Sequence, residues 1–173
     1  MKSKYWKNVN YNKWKQIMPD CQVRALCAAI GVDYELACKA LGVKCVPGKG
    51  FNDTYGVDLD VILAKFKKFF GPLTDMLDLV DDPVQALTNG ITLNDWLEAH
   101  KKDNAKYLVY LDDDKAMDGG HIVCAYCYPD KLYFIDTFDC GEMFVQAWTK
   151  VKKVIPKDSD QHWKYDKQLK KFI

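Results

Sequence analysis

Cys21, His121 and Asp136 are of the types, and in the positions, that acyl-group chemistry requires. Cys21 lies in "MPDCQVRALCAAIG", residues 18 to 31, at the start of an apolar helical pattern. In such a position the positive end of the helix dipole and a nearby imidazolium both favour thiolate, the nucleophilic form of a cysteine. The chain has three histidines. His100 ends an amphipathic helix beside Lys101 and Lys102, where a cation suits the helix dipole. His162 sits in a lysine-rich tail. His121 differs, because it follows two glycines that permit close backbone approach and opens the strand-like run "HIVCAYCY". Asp136 lies across the turn at Pro129-Asp130, near the end of the neighbouring run, where it can accept from an imidazole and fix its tautomer. Cys21, His121 and Asp136 then have the roles of nucleophile, base and orienting carboxylate.

Other candidates carry less. Cys124 and Cys127 have the spacing of a metal knuckle, yet residues three apart on a strand face opposite sides, so no metal site is expected. "LDDDKAMDGG" lacks the spacing and terminal glutamate of a calcium loop and reads as a solvated loop ahead of His121. Cys27, Cys38 and Cys45 read as core or near-surface thiols, and Cys140 as partly exposed and without a role. Asp20 is expected to cap the helix that Cys21 begins. Arg24, one turn on, is the only arginine of the chain. It is expected to pair with Asp20 or Asp139 through a planar fork that lysine cannot reproduce. No cofactor is implied.

The elements that would position these groups follow from periodicity and caps. A helix is expected over 21 to 30 with Gly31 as its stop, Val23, Leu26, Cys27 and Ile30 facing the core. Cys21, Arg24, Ala25 and Ala28 share another face. Asp33 caps a second helix over 34 to 41, closed by Gly42. Leu59, Ile62, Leu63, Phe66 and Phe69 mark a third, ended by Gly71-Pro72. The segment 72 to 91 is open, with a short strand around Met76 to Val80 one reading. Thr92 caps a fourth helix through His100, with Asp95 at the capping-box position. The runs 106–112, 121–128 and 131–138 are rich in aromatic and β-branched residues and read as strands, the last two joined by a tight turn. Another strand is expected around "MFVQAW". Residues 1 to 17 read as a poorly defined lead-in, and 156 to 173 as a peripheral lysine-rich tail anchored by Trp163 and Phe172.

Helices first and antiparallel strands later make an α+β plan. With 173 residues, one domain over 1–173 is expected. The balance of 25 basic against 24 acidic residues lacks the basic footprint of a nucleic-acid binder. No run approaches the length of a membrane span, and no leader is read at the N-terminus. Seven irregularly spaced cysteines point to free thiols in a reducing cytoplasm. The sequence does not fix an oligomeric state.

With the candidate residues in place, "DCQVRALCAAIGVDYELACKAL" resembles the opening of papain-like cysteine peptidases, especially small bacterial and phage-encoded proteins beginning "DC-x-x-R-A". "GGHIVCAY" followed by "LYFIDTFD" resembles their second half, a histidine-led strand and then one ending in "D-T-W-D". The bacteriocin-processing peptidases of that superfamily share the order Cys, His, Asp. The resemblance covers residues 18 to 42 and 92 to 150.

The resemblance implies a papain-like fold, with the helix bearing Cys21 packed on an antiparallel sheet bearing His121 and Asp136. It makes Cys21 the nucleophile and His121 the general base. Asp136 becomes the orienting group, where papain itself has asparagine. The family places an oxyanion-hole glutamine six residues before the cysteine. Lys15 stands there, and Gln16, one residue off, is the candidate. Either the loop differs by a residue, or the hole uses the Cys21 backbone N–H with another donor. The implied substrate is a peptide or isopeptide bond in a peptide or protein, and the implied setting the cytoplasm of a bacterial host for a phage-encoded protein. Two other classes stay open: a silent member of the fold that binds a host or virion protein, and an enzyme that moves the acyl group to an amine.

Overall fold

Four long runs of aromatic and β-branched residues form the centre of the computed structural model, which describes residues 1–16, 20–46, 50–51, 61, 64–65, 68, 84–85, 90–113 and 120–152. In chain order the elements are β1 (Trp6–Asn8), α1 (Cys21–Ile30), α2 (Tyr34–Leu41), β2 (Cys45–Val46), β3 (Gly50–Phe51), β4 (Val84–Gln85) and α3 (Leu93–His100). The strands β5 (Ala105–Asp112), β6 (His121–Tyr128), β7 (Lys131–Asp136) and β8 (Phe144–Val151) follow. The fold is α+β, as expected.

The main sheet has six strands in the order β1-β7-β6-β5-β8-β4. The pairs from β7 to β4 are antiparallel, but β1 runs parallel to β7, so the sheet is mixed and not antiparallel throughout. Tyr128 faces Lys131 in the β6–β7 ladder, so Pro129-Asp130 is the tight turn that the sequence indicates. β7 ends at Asp136, two residues earlier than expected.

Both faces of the sheet are covered. Along β5, Leu108 and Tyr110 enter a cluster with α1 and α2, while Tyr107, Val109 and Leu111 enter a second one with Leu93, Trp96 and Leu97 of α3. Alternation of side chains along a strand places successive residues in different layers, and burial on both sides explains why the runs are apolar almost throughout. Cys124 belongs to the first cluster and Cys127 to the second, so the two thiols do face apart.

The helices form where the local signals place them, with one change of character. Asp33 accepts from Leu36 N at 2.8 Å to begin α2, Thr92 accepts from Asp95 N at 3.3 Å to begin α3, and Gly31 and Gly42 adopt left-handed φ of 80° and 68° after α1 and α2. α1, however, is buried on every side: Gln22, Arg24, Ala25, Ala28 and Ala29 are as enclosed as the expected core face. Its single-stripe reading is corrected, because α2, with Tyr11 and Trp14, packs into the same cluster as α1.

Residues 1 to 16 are more than a lead-in. Trp6 and Asn8 pair with Phe134 and Asp136, Tyr5 is buried, and Asn12 is fully enclosed. Val61, Ala64, Lys65 and Lys68 are helical, in keeping with the expected third helix. The rest of that helix, the strand at 76–80, the loop tip at 114–119 and the tail from 153 lie outside the described residues. Among the described residues, no helix is long and apolar enough to cross a membrane.

Candidate active site

His121 is the first residue of β6 and Asp136 the last of β7, so the antiparallel hairpin brings both to one end of the sheet. The ladder's last pair is Cys124 with Ile135, so Asp136 stands diagonally from His121 on the same face. Diagonal neighbours lie within reach of each other's side chains. The His121 Nε2 bonds to Asp136 Oδ2. Gly120 just before it earns its lack of a side chain, since a Cβ there would run into the Tyr110 ring.

Asp136 is held on every side. Its Oδ1 accepts from Arg24 Nη1 at 2.6 Å and from the Thr137 N–H at 2.7 Å. Its Oδ2 accepts from His121 and, at 3.6 Å, from the Cys140 thiol. Its backbone carbonyl accepts from Trp6 Nε1 at 3.0 Å, which ties β1 to the site. Burial works against the carboxylate charge, but the imidazole and guanidinium outweigh it and hold the acid below its ordinary range.

Cys21 occupies the first turn of α1 and is partly exposed. Its thiol is among the groups that favour a charged His121, after Asp136 and Cys140. Burial, the largest single influence, disfavours a charged His121. Hydrogen bonds with Asp136, Cys140 and Cys21 prevail and push its pKa up to about 12. The imidazole is therefore an imidazolium at neutral pH. The outer face of its ring is covered by Phe138, whose centroid lies 4.8 Å away and which is itself 46% exposed.

Asp20 corrects its sequence reading. It precedes α1, yet its side chain makes no capping bond. The fully buried carboxylate accepts instead from Arg24 Nε at 2.7 Å, Tyr34 Oη at 2.6 Å and Asn12 Nδ2 at 2.7 Å. Those three donors satisfy it better than the helix could, and they leave the first-turn N–H groups of α1 untouched by it. Arg24 thus does pair with Asp20, but its other arm reaches Asp136 and not Asp139. Asp139 takes the backbone N–H groups of Ser3 and Gly141.

Gln16 is exposed on the loop before α1, where its backbone bonds with Asn10 and Asn12 at 2.9 and 3.3 Å. Residues 17 to 19, which join it to Asp20, lie outside the described residues. The residue that sequence reasoning missed is Cys140. It is 1% exposed, not partly exposed, and its sulfur lies within 4.8 Å of ligand-type atoms of both His121 and Asp136. Burial, the main cause, pushes its thiol up to about 11, so it remains protonated near neutral pH. The only available signal was its place four residues after Asp136. Cys124 and Cys127 are likewise buried, each pushed up to about 12 by burial, and they play no part at this end of the sheet.

His100 is apart from the site. It stacks on Trp96 and bonds to Asp103 at 2.7 Å, as suits a residue ending α3. No protein-family model, curated protein or solved structure matches the chain.

Proposed function

We propose that the chain is a thiol hydrolase of the papain-like cysteine peptidase kind, acting on a peptide or isopeptide bond. Cys21 is the nucleophile, His121 the acid and base, and Asp136 the group that orients the ring. The observation that best supports this reading is the buried His121 imidazole bonded to Asp136 through Nε2, with the partly exposed Cys21 thiol among the groups that raise the ring's pKa. Of the two thiols that raise this ring's pKa, Cys21 is the one partly open to solvent. Cys140 is enclosed and held protonated.

In this reading the Cys21 sulfur attacks the acyl carbon as thiolate, with the proton on His121. The C–N bond breaks, the amine leaves with that proton, and a thioester remains on Cys21. Water then gives a proton to the imidazole and attacks the thioester, releasing the acid and restoring the thiolate–imidazolium pair. First-turn N–H groups of α1, which the Asp20 side chain does not cap, are suited to the oxyanion together with the helix dipole. Gln16 is the proposed second donor. A bacterial cytoplasm, with the protein phage-encoded, is the setting proposed from the sequence resemblance.

An electrophilic thiol probe of the acyl-fluoromethyl-ketone class tests the reading. One label per chain, mapped to Cys21 by peptide mass spectrometry and dependent on His121, is the expected result. Equal labelling of the native protein and of His121→Ala overturns it and leaves the fold as a binding module.

A further inference from the structure

A buried cysteine aimed at the orienting carboxylate is not a requirement of the chemistry proposed above, and its neighbours explain what else it can do. Cys140 Sγ, Asp136 and His121 offer one sulfur, one oxygen and one nitrogen donor within 4.8 Å of one another, all on buried side chains. The donors come from three places: the start of β6, the end of β7 and the turn after it. They converge because the β6–β7 hairpin and the Cys140–Met143 turn fold back on the same end of the sheet.

We propose that His121, Asp136 and Cys140 form a binding site for a thiophilic divalent cation of the zinc type. Zinc takes mixed nitrogen, oxygen and thiolate ligands at about 2.0–2.3 Å and leaves a fourth position for a small ligand when the protein supplies three. The surroundings suit a cation. Arg24 is balanced by Asp20 and occupies only Oδ1 of Asp136, so Oδ2 and its charge face the imidazole and the Cys140 thiol. Binding displaces the Cys140 proton and the proton shared by His121 and Asp136, so it is coupled to pH. A metal-bound imidazole can no longer take up a proton, which makes the cation an inhibitor of any Cys21 reaction that uses His121 as acid and base. The site itself does not depend on Cys21 being a nucleophile.

Chelator-treated full-length protein, titrated with cobalt(II) and then zinc(II), tests the proposal. The native chain is expected to form a one-to-one cobalt complex with a thiolate charge-transfer band. Zinc displaces the cobalt and raises the unfolding temperature. Cys140→Ser, which keeps the side chain's size and its hydrogen, loses the band and binds zinc at least about tenfold more weakly, the smallest loss typical even of an outer-shell change. Cys21→Ala keeps both the band and the zinc-induced rise, so failure of the hydrolase reading leaves this result unaffected. A native chain with no cobalt band and no zinc-induced rise overturns the proposal. So does a band that persists in Cys140→Ser or disappears in Cys21→Ala.

Discussion

Arg24 and Asp136, 112 residues apart, meet through a 2.6 Å bond between Nη1 and Oδ1, both side chains buried. The same guanidinium holds Asp20 through Nε at 2.7 Å. One planar fork therefore joins the start of α1, which carries Cys21, to the end of β7, which carries the partner of His121. A lysine can reach one carboxylate but not both. Arg24→Lys is expected to lose one charge-assisted bond and about 1.5–3 kcal/mol of stability. Arg24→Ala, which leaves two buried carboxylates without their cation, should lose about 3–5 kcal/mol. Chemical denaturation of the three proteins decides it, and equal stability of native and Arg24→Lys chains would show the fork to be dispensable.

What the sequence disclosed about this arrangement was local. β5 to β8 were readable because aromatic and β-branched residues filled each run, and α2 because Asp33 and Gly42 bracket it. The meeting of His121 and Asp136 was readable from the hairpin that places them at one end of neighbouring strands. The features that were not readable depend on distant partners. Asp20 has the residue type of a helix cap, but Asn12, Arg24 and Tyr34 compete for it and win. β1, "WKN", is too short and polar to show as a strand until Phe134 to Asp136 lie beside it. Cys140 follows the polar run "DTFD", which suggests exposure, and only the turn at 140–143 folds it under the carboxylate.

Asp136 should govern the charge of His121. In chelator-treated native protein the ring stays protonated across the neutral range, its pKa having been pushed up to about 12. In Asp136→Asn the largest favourable partner loses its charge, and burial then pulls the ring down towards or below the ordinary 6.5. The ring-carbon resonances of His121, followed by NMR through a pH titration, give the measurement. A flat titration in both proteins would dissociate the two residues.

The same pair sets how stability depends on pH. A histidine raised in the folded state adds stability that is complete below its unfolded value, here 6.5, and is lost as pH climbs towards about 12. A carboxylate lowered in the folded state adds stability above its ordinary 3.8 that is lost as pH falls. Unfolding free energy should therefore be highest between those two ordinary values and decline on both sides. His121→Gln should flatten the alkaline decline, and an unchanged alkaline slope in that variant would assign the loss to other groups.

Phe138 is the exposed wall of the site. Its ring covers the imidazole face and is 46% exposed, so Phe138→Ala removes about half of a buried phenylalanine's contribution and should cost about 1 kcal/mol. The His121–Asp136 bond then meets water, which weakens it as the local dielectric rises. Probe labelling of Cys21 is expected to slow several-fold while the protein still unfolds cooperatively, its melting temperature lower by only a few degrees. Loss of folding instead would give Phe138 a structural role.

Tyr34 supports the site from α2. Its hydroxyl donates to Asp20 Oδ2 at 2.6 Å and accepts from Asn12 Nδ2 at 3.1 Å, and Asn12 donates to the same oxygen. Tyr34→Phe preserves the ring, including its edge contact with Trp14 at 5.9 Å, and removes only the hydroxyl. A buried carboxylate that loses one of three side-chain donors should cost about 1.5–3 kcal/mol. Because Asn12 shares both partners, the double variant Tyr34→Phe with Asn12→Ala should depart from additivity by more than the ~0.5 kcal/mol typical of independent sites. Strict additivity in denaturation experiments would mean that Tyr34 and Asn12 hold Asp20 independently of each other.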